Sequence, residues 1–401
     1  MDGNRQTRIL ATLGPATDSV EAIGKLLDAG ANIFRLNMSH APHDWTRTTT
    51  VNIREAAAQR DLVPGILMDL QGPAIRTGDL PEPVELHQGD RFDFTVDPAV
   101  QGERVVGVNY SNFLNDIEVG ATILIDNGLI RMKVLTKTES VAECEVDIGG
   151  TMGSRRHINL PGTKVGLPAL TDKDRKDAAL GLELEVDYMA LSFVREAADV
   201  EELQALIKVG DHPTKVVAKI EDQHAVKRIR RIIRAADAIM VARGDLGVEC
   251  PYEELPIIQR HIVRECLTVG KPVVVATHML ESMINEPHPT RAEVTDVANA
   301  VFEQADAIML SGETSVGNFP TMCVEVMDRI AQRMEQERGA RFHREAKLDD
   351  QRQRLAKSAV RMADDLSAEA IVMFTVSGRM VRQAAWMRPR HAKILALCAD
   401  P

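Results

Sequence analysis

Aromatic side chains are scarce in this sequence. Phe, Tyr and Trp make up 3% of its 401 residues, although hydrophobic residues as a whole make up 44%. The apolar positions are therefore filled mainly by Val, Ile, Leu, Ala and Met. Runs of such residues are typical of parallel strands that are buried on both faces. The composition favours an α/β protein, and the length allows one large domain with one or two smaller ones.

The cysteines also lack a pattern. The five of them are scattered (Cys144, Cys250, Cys266, Cys323 and Cys398), with no CxxC pair and no zinc-type spacing. Reduced thiols in the cytoplasm are the simplest interpretation. The polar segment Met1 to Gln6 does not resemble a signal peptide. No apolar run reaches the roughly 18–20 residues of a transmembrane helix, so we expect a cytoplasmic protein with no membrane partner.

A basic stripe with interleaved aromatic residues is lacking, and the formal net charge is −11. These features argue against a nucleic-acid partner. If the ligand is an anion, the protein needs a local basic pocket that overcomes its own net field.

Short apolar runs alternate with helical patterns along most of the chain. Eight strand–helix units can be counted, and eight favour a closed TIM barrel over an open sheet. In such a barrel the chemistry lies at the C-terminal ends of the strands. The predicted strands cover residues 8–13, 31–37, 65–69, 186–193, 215–221, 238–242, 272–277 and 305–310.

The alternation stops between residues 75 and 164. Short strands are predicted there at 107–110, 122–125, 129–135 and 141–148, and Asp126-Asn127-Gly128 is a strong hairpin signal. We therefore predict a β domain inserted after the third barrel strand. The expected domains are residues 1–74 and 165–339 for the barrel, 75–164 for the insert and 340–401 for a small C-terminal α/β domain.

Charged residues follow two neighbouring barrel strands. Lys219 and Glu221 lie two apart at the end of one strand and share a face, and Asp245 follows the next strand. A lysine and two carboxylates at adjacent strand ends suit a site for a divalent metal and an anion. Surface ion pairs are the alternative interpretation of each residue taken alone. Arg35 and Asn37 share a face at the end of the second strand in the same way. An arginine there either pairs with a carboxylate of a neighbouring strand or captures an anion.

Several long motifs carry a resemblance to a known family. They are LGPATDS, GANIFRLNMSH, NLPG, AKIE, MVARGDLGVE, ATHMLESMI, PTRAEVTDVANAV and MLSGETSVGNFP. In this order and spacing the sequence resembles pyruvate kinases over nearly its whole length. The resemblance implies a (β/α)8 TIM barrel with an inserted β-barrel lid and a C-terminal α/β domain, which is shortened here.

The chemistry implied by the resemblance is phosphoryl transfer from phosphoenolpyruvate to ADP in glycolysis. Lys219 matches the family's essential lysine, and Arg35 would hold the same phosphoryl group. Glu221 and Asp245 match the ligands of Mg²⁺ or Mn²⁺. The remaining substrate-binding positions implied by the resemblance are Gly244, Asp245, Thr277 and Ser192. Thr277 would lie near the proton donor.

The nucleotide side is also implied by the resemblance. Asn37, His40 and Arg76 match nucleotide-binding positions, and Arg156 matches a basic residue of the lid that reaches the nucleotide phosphates when the lid closes. Closure of the lid would exclude water and so prevent hydrolysis of the phosphoryl donor.

The monovalent-cation site departs from the family pattern. Asn37, Ser39 and Asp69 match three potassium ligands, but Leu70 replaces the fourth, which is threonine in potassium-dependent members. Ala74 replaces the glutamate of those members and also the lysine of potassium-independent ones. We therefore predict weak dependence on potassium.

Two other functions fit parts of the sequence. A weak or silent paralogue that senses a ligand would be consistent with Ala74 and the short tail, but it would not need Lys219, Glu221 and Asp245. A metal-dependent aldolase of pyruvate enolates would use two carboxylates and an arginine, but neither a lid nor a lysine directed at phosphate. A homo-oligomer is expected, because members of the family are usually tetrameric.

Overall fold

The protein is described by a computed structural model that covers residues 5–208, 210 and 212–398. The start of the chain through Asn4 therefore lies outside the described residues. The first part alternates strands and helices, and Ser19 caps the first helix by accepting the Ala22 N–H at 3.2 Å. Its elements are β1 (Arg8–Thr12), α1 (Val20–Asp28), β2 (Ile33–Asn37), α2 (His43–Ala58) and β3 (Gly65–Asp69).

The predicted insert of β structure follows β3. Its elements are β4 (Val84–Leu86), β5 (Arg91–Thr95), β6 (Val105–Gly107), α3 (Phe113–Asp116), β7 (Thr122–Ile125), β8 (Ile130–Lys137), β9 (Val141–Ile148), β10 (Gly150–Met152) and β11 (Ile158–Asn159). Hydrogen bonds divide them into a six-stranded sheet and a two-stranded sheet of β10 and β4, which share one apolar core. The predicted hairpin joins β7 to β8, and Asp126, Asn127 and Gly128 all have positive φ there. The strand predicted at residues 107–110 is instead β6, which ends at Gly107.

The alternation then resumes. Its elements are α4 (Asp172–Glu183), β12 (Tyr188–Leu191), α5 (Ala197–Ile207), β13 (Lys215–Ile220), α6 (Gln223–Ala235), β14 (Ala238–Ala242), α7 (Arg243–Glu249), α8 (Leu255–Val269), β15 (Val273–Ala276), a 3₁₀ turn (Glu281–Ile284), α9 (Arg291–Phe302), β16 (Ala307–Leu310), α10 (Gly312–Ser315) and α11 (Pro320–Glu335). Thr171 begins α4 with a capping box that it forms with Asp174.

The eight barrel strands close into one parallel barrel, in the order β1-β16-β15-β14-β13-β12-β3-β2. This confirms the predicted TIM barrel. Inward-facing side chains such as Leu10, Val217 and Met240 fill the interior, and a larger apolar layer lies between the strands and the outer helices. The strands are thus buried on both faces, which is the physical reason for their aliphatic composition.

The C-terminal part is small. It contains a 3₁₀ turn (Phe342–Glu345), α12 (Gln351–Asp365), β17 (Ala370–Phe374), α13 (Arg379–Trp386) and β18 (Lys393–Leu397). The two strands pair in parallel. Trp386 joins this part to the barrel, because its buried indole donates to the Leu267 carbonyl of α8 at 2.6 Å. Among the described residues, no helix combines the length and the apolar character needed to traverse a bilayer.

Candidate active site

One cleft of about 360 Å³ opens at the C-terminal ends of the barrel strands. The insert forms its opposite wall. Most of the site residues expected from the sequence line it: Arg35, Asn37, Ser39, His40, Asp69, Arg76, Arg156, Ser192, Lys219, Glu221 and Asp245. The other two, Gly244 and Thr277, lie beside Asp245 and contact each other. The fold therefore brings together residues that are up to 242 positions apart, from Arg35 to Thr277.

Lys219 is at the centre of this cleft. Its ammonium lies 2.7 Å from Ser192 Oγ, 2.9 Å from Glu221 Oε1 and 3.3 Å from Asp69 Oδ1. The shared face predicted for Lys219 and Glu221 is thus present. Arg35 pairs with the other Asp69 oxygen at 2.6 Å, so that Asp69 lies between two cations. The contact at Asp69 Oδ1 is an ion pair without hydrogen-bond geometry.

The pKa values of these buried groups follow from their neighbours. Burial alone would lower the pKa of Lys219, but Asp69 and Glu221 outweigh it and hold the pKa above its ordinary value. Burial would likewise raise the pKa of Asp69, yet Lys219 and Arg35 hold that pKa below its ordinary value. Both shifts favour the charged form of the group concerned.

Glu221 behaves differently. Burial and the nearby Asp245 raise the pKa of Glu221 to about 7, although Lys219 opposes the shift. The Lys219–Glu221 contact favours charge on both partners, but Lys219 is shared with Asp69 while Glu221 also faces a second carboxylate. The negative charge of Glu221 and Asp245 is therefore not fully balanced by Lys219. A further cation beside Glu221 and Asp245 would balance the rest.

These two carboxylates fit a divalent ion of the magnesium type. Carboxylate oxygens are the ligands that Mg²⁺ prefers, and it commonly takes only one or two of them because water and substrate complete its shell. Within the described residues, no three His, Cys, Asp or Glu side chains are grouped to hold a metal. A site with two carboxylates that leaves positions for a phosphorylated substrate is consistent with that arrangement.

Thr277 has an unusual backbone at the end of β15. Its φ is +67°, and His278 next to it has φ +53°. Positive φ is rare for a β-branched residue and costs free energy unless the surroundings impose it. Arg243 imposes it, because its guanidinium donates to the Thr277 carbonyl at 2.6 Å and pairs with Asp296 at 2.7 Å. Neither Arg243 nor this conformation was expected from the sequence.

The backbone N–H of Gly244 already has a partner within the protein. It donates to Thr277 Oγ1 at 2.7 Å. The Thr277 hydroxyl in turn donates to the Ala276 carbonyl at 2.6 Å. The two groups are thus already hydrogen-bonded, and a carboxylate bound here would have to exchange with this bond.

The insert contributes a basic wall. Arg156 lies 3.3 Å from Asp126 of the β7–β8 hairpin, and Arg76 donates to the Arg155 carbonyl at 3.1 Å. His157 is the neighbour of Arg156, and burial lowers its pKa. The resemblance indicated Arg156 but not that the neighbouring His157 lines the cleft.

Two more polar groups near Glu221 were not predicted from the sequence. The Phe193 N–H donates to Glu221 Oε2 at 2.5 Å, and Glu249 lies beside the cleft with a pKa that burial raises to about 7. A backbone donor leaves no signal in a sequence. Glu249 is contained in the motif MVARGDLGVE and was visible only as part of it.

The potential monovalent-cation ligands are near one another. The side-chain Oδ1 of Asn37 accepts the Ser39 N–H at 3.2 Å, and Asp69 lies in the same cleft. The Asp69 carboxylate is already paired with cationic side chains, as described above. The Leu70 side chain is buried, and Ala74 lines the cleft with only a methyl group.

Comparisons with known proteins agree on one family. The family model described as "Pyruvate kinase, barrel domain" matches residues 4–324, and "Pyruvate kinase, alpha/beta domain" matches residues 353–401. Plastidial pyruvate kinase 3 of Arabidopsis thaliana is 44% identical over 97% of this chain and 68% of its own length. Pyruvate kinase of Geobacillus stearothermophilus is 40% identical over 99% of this chain and 69% of its own.

A solved structure is also similar. The crystal structure of a pyruvate kinase from Cryptosporidium parvum superposes with a TM-score of 0.95 at 38% identity, and the match covers 99% of this chain and 84% of that one. Other curated relatives are longer than this chain to differing extents. The chain spans 57% of plastidial pyruvate kinase 2 of Arabidopsis thaliana and 80% of the pyruvate kinase of Thermotoga maritima.

Proposed function

Because the chain belongs to the pyruvate kinase family, we propose that it transfers the phosphoryl group of phosphoenolpyruvate to ADP. The bond between phosphorus and the enol oxygen breaks, and a bond to the terminal oxygen of ADP forms. The enolate of pyruvate that remains then takes up a proton, which gives pyruvate beside ATP. The observation that carries the proposal is the buried Lys219 ammonium, which lies between Asp69 and Glu221 in a cleft with a basic second wall.

Lys219 and Arg35 hold the phosphoryl group in this proposal. The moving phosphoryl group carries negative charge on its peripheral oxygens, and preorganised cations stabilise that charge without reorganisation. Both cations are fixed by Asp69, Arg35 at 2.6 Å and Lys219 at 3.3 Å. Ser192 accepts a hydrogen bond from Lys219 and so orients the ammonium.

Glu221 and Asp245 would hold Mg²⁺ or Mn²⁺. When bound, the ion supplies positive charge to the substrate oxygens and helps to keep donor and acceptor in line. The raised pKa of Glu221 supports this assignment, because burial beside Asp245 leaves its carboxylate short of positive charge. The weaker assignment is potassium, for which Asn37, Ser39 and Asp69 are the available ligands.

The substrate carboxylate is placed at Gly244, Asp245 and Thr277. The Thr277 hydroxyl already donates to Ala276, so its own proton is engaged. This supports protonation of the enolate through a water molecule near Thr277 rather than directly from its hydroxyl. Asn37, His40, Arg76 and Arg156 are assigned to the nucleotide.

The insert acts as a lid in this proposal, with residues 75–164 as its extent. Residues of the insert form one wall of the cleft, so that its approach to the barrel would exclude water from the phosphoryl group. The other proposed domain limits are 1–74 and 165–339 for the barrel and 340–401 for the C-terminal part. The cytoplasm and a homo-oligomeric state remain predictions, and light scattering tests the latter.

A coupled assay tests the function. The protein is mixed with phosphoenolpyruvate, ADP and MgCl₂, in potassium or choline chloride, and pyruvate is detected with lactate dehydrogenase. We expect pyruvate to form in both salts and to require ADP and Mg²⁺. Failure to form pyruvate in either salt would contradict the proposal and favour a ligand-sensing protein.

A further inference from the structure

A second cavity lies away from the catalytic cleft. Its volume is about 600 Å³, and its walls are the C-terminal end of α11, the 3₁₀ turn Phe342–Glu345, α12 and the segment after α13. It therefore lies where the barrel meets the C-terminal part. Among the described residues, no member of the catalytic cleft lines it.

Cationic side chains dominate its lining. They include Arg338, Arg341, Arg344, Lys357 and Arg390. Within the described residues, none of these side chains has a carboxylate within 4.0 Å, whereas the neighbouring Arg388 pairs with Asp306 at 2.7 Å. Unpaired cations gathered in a concavity are unusual for a chain whose net charge is −11.

The carboxylates of the cavity do not neutralise these cations. The carboxylates are Glu335, Glu337, Asp364 and Asp365. Glu335 accepts two backbone N–H groups near the start of β1, each at 2.7 Å. Glu337 and Asp365 pair with arginines four residues before them, at 2.9 and 3.8 Å. Asp364 accepts the backbone N–H of Arg390 at 2.8 Å and does not pair with the Arg390 guanidinium.

The positive charges are close enough to perturb one another. Burial and the charges of Arg388, Arg344, Arg341 and Lys357 lower the pKa of His343 to about 4, so this histidine is neutral. Desolvation and three other arginines also lower the pKa of Arg341. The cations therefore repel one another, and an anion placed among them would relieve that repulsion.

One of these arginines, Arg341, is held in place by two hydrogen bonds. The Arg341 backbone N–H donates to Gln304 Oε1 at 3.0 Å, and its Nε donates to the Arg338 carbonyl at 3.0 Å. Its φ of +57° is rare for a residue other than glycine. The guanidinium is thus oriented before any ligand arrives, which reduces the entropy lost on binding.

We propose that this cavity binds a small molecule that carries a phosphate group. A phosphate dianion matches the fork of donors on a guanidinium, and several arginines around one phosphate are a common way to recognise it. The volume is within the range of small-molecule sites. Because Gln304 and Arg338 belong to the barrel and Lys357 and Arg390 to the C-terminal part, the ligand would fasten the C-terminal part to the barrel.

Isothermal titration calorimetry of the full chain tests the proposal. Three probes are titrated in EDTA, which removes divalent ions from the catalytic cleft: pyrophosphate, fructose 6-phosphate and AMP. We expect at least one probe to bind with a stoichiometry of one. Tighter binding of AMP or of fructose 6-phosphate identifies a nucleotide or a sugar phosphate, and equal binding of all three means that the phosphate alone is recognised.

Variants place the binding in this cavity. Arg341→Ala with Arg344→Ala should weaken binding at least about tenfold, since each removes a charged hydrogen bond. Arg231→Ala with Arg234→Ala makes the same change of charge on exposed positions of α6 and should change the affinity less than about twofold. If the first variant does not fold, Lys357→Ala with Arg390→Ala tests the same cavity.

Lys219→Met tests whether the probe binds in the catalytic cleft instead. We expect this variant to bind the probe with the same affinity as the parent. Three results would overturn the proposal. They are the absence of stoichiometric binding by any probe, equal weakening in the α6 control, and loss of binding in Lys219→Met. None of these results depends on turnover, so a failure here is distinct from a failure of the proposed activity.

Discussion

Replacing Lys219 by methionine removes one charge at the centre of the cleft while keeping a side chain of similar length. The ammonium lies 2.9 Å from Glu221 and 3.3 Å from Asp69. A cation that stabilises a transferring phosphoryl group is typically worth about 10³- to 10⁵-fold in rate. Lys219→Met should therefore lower kcat by about that factor, which corresponds to roughly 4–7 kcal/mol of transition-state stabilisation.

The loss in the free energy of unfolding caused by Lys219→Met should be smaller than this loss of transition-state stabilisation. Removing one partner of a buried ion pair commonly costs about 3–5 kcal/mol, because a charge is left unpaired. Here Asp69 keeps Arg35 at 2.6 Å, and Glu221 can take up a proton because its pKa is already about 7. We expect a loss of about 1–3 kcal/mol at neutral pH, less than the full penalty.

The pH dependence of that loss has a definite sign. Without Lys219, the pKa of Glu221 in the folded protein should rise further above its unfolded value. A carboxyl group with a raised pKa favours the folded state most at low pH, and this contribution is lost as the pH rises through the folded pKa. Urea denaturation should therefore show a larger destabilisation by Lys219→Met at pH 8 than at pH 6.

Metal binding distinguishes loss of the phosphoryl contact from collapse of the site. Glu221 and Asp245 remain, so Mn²⁺ binding measured by electron paramagnetic resonance at pH 8 should stay within about tenfold of the parent. Lys215→Met is the matched control, because Lys215 is an exposed lysine at the opposite end of β13. Its kcat should be unchanged. A Lys219→Met protein that keeps more than about a tenth of the parent turnover would refute the assigned role.

Three further predictions concern neighbouring groups. Burial raises the pKa of Glu249 to about 7, so the contribution of this carboxyl group to stability is full below about pH 4.5 and is lost as the pH rises to 7. Glu249→Gln should therefore be more stable than the parent by about 1–3 kcal/mol at pH 8 and nearly equal to it at pH 5. Urea denaturation at the two pH values measures this difference. Turnover should be similar in potassium and choline chloride because of Leu70 and Ala74, and strong activation by potassium would contradict this. Arg243→Lys should release the Thr277 backbone and lower kcat by about 10- to 100-fold in the coupled assay, whereas unchanged kcat would show that the positive φ is maintained without the arginine.

Local sequence patterns predict much of the architecture. Periodicity and apolar runs predict the eight strand–helix units, since each strand must be buried on both faces. The hairpin at Asp126-Asn127-Gly128 is predicted because few residues accept the positive φ that its turn requires. Strands β4, β5, β10 and β11 escaped prediction because they are short or pair with segments distant in the chain, and such pairing leaves little local signal.

The same distinction holds for the active site. The period of a strand places Lys219 and Glu221 on one face, and the common direction of barrel strands brings both near Asp245. The residue types and the strand period are sufficient for those inferences. They do not reveal that Arg243 holds Thr277 at positive φ, or that the Gly244 N–H is already bonded, because both depend on side chains that reach across different loops.

The basic cavity is only partly visible in the linear sequence. Arg338, Arg341 and Arg344 lie three residues apart, but Lys357 and Arg390 are distant from them along the chain. Only the docking of α12 and α13 against the barrel gathers their charges, and only the hydrogen bonds of the nearby carboxylates leave those charges unpaired. Local sequence thus specifies the strands, their faces and the residues at their ends. Long-range packing specifies which charges meet and which of them remain available for a ligand.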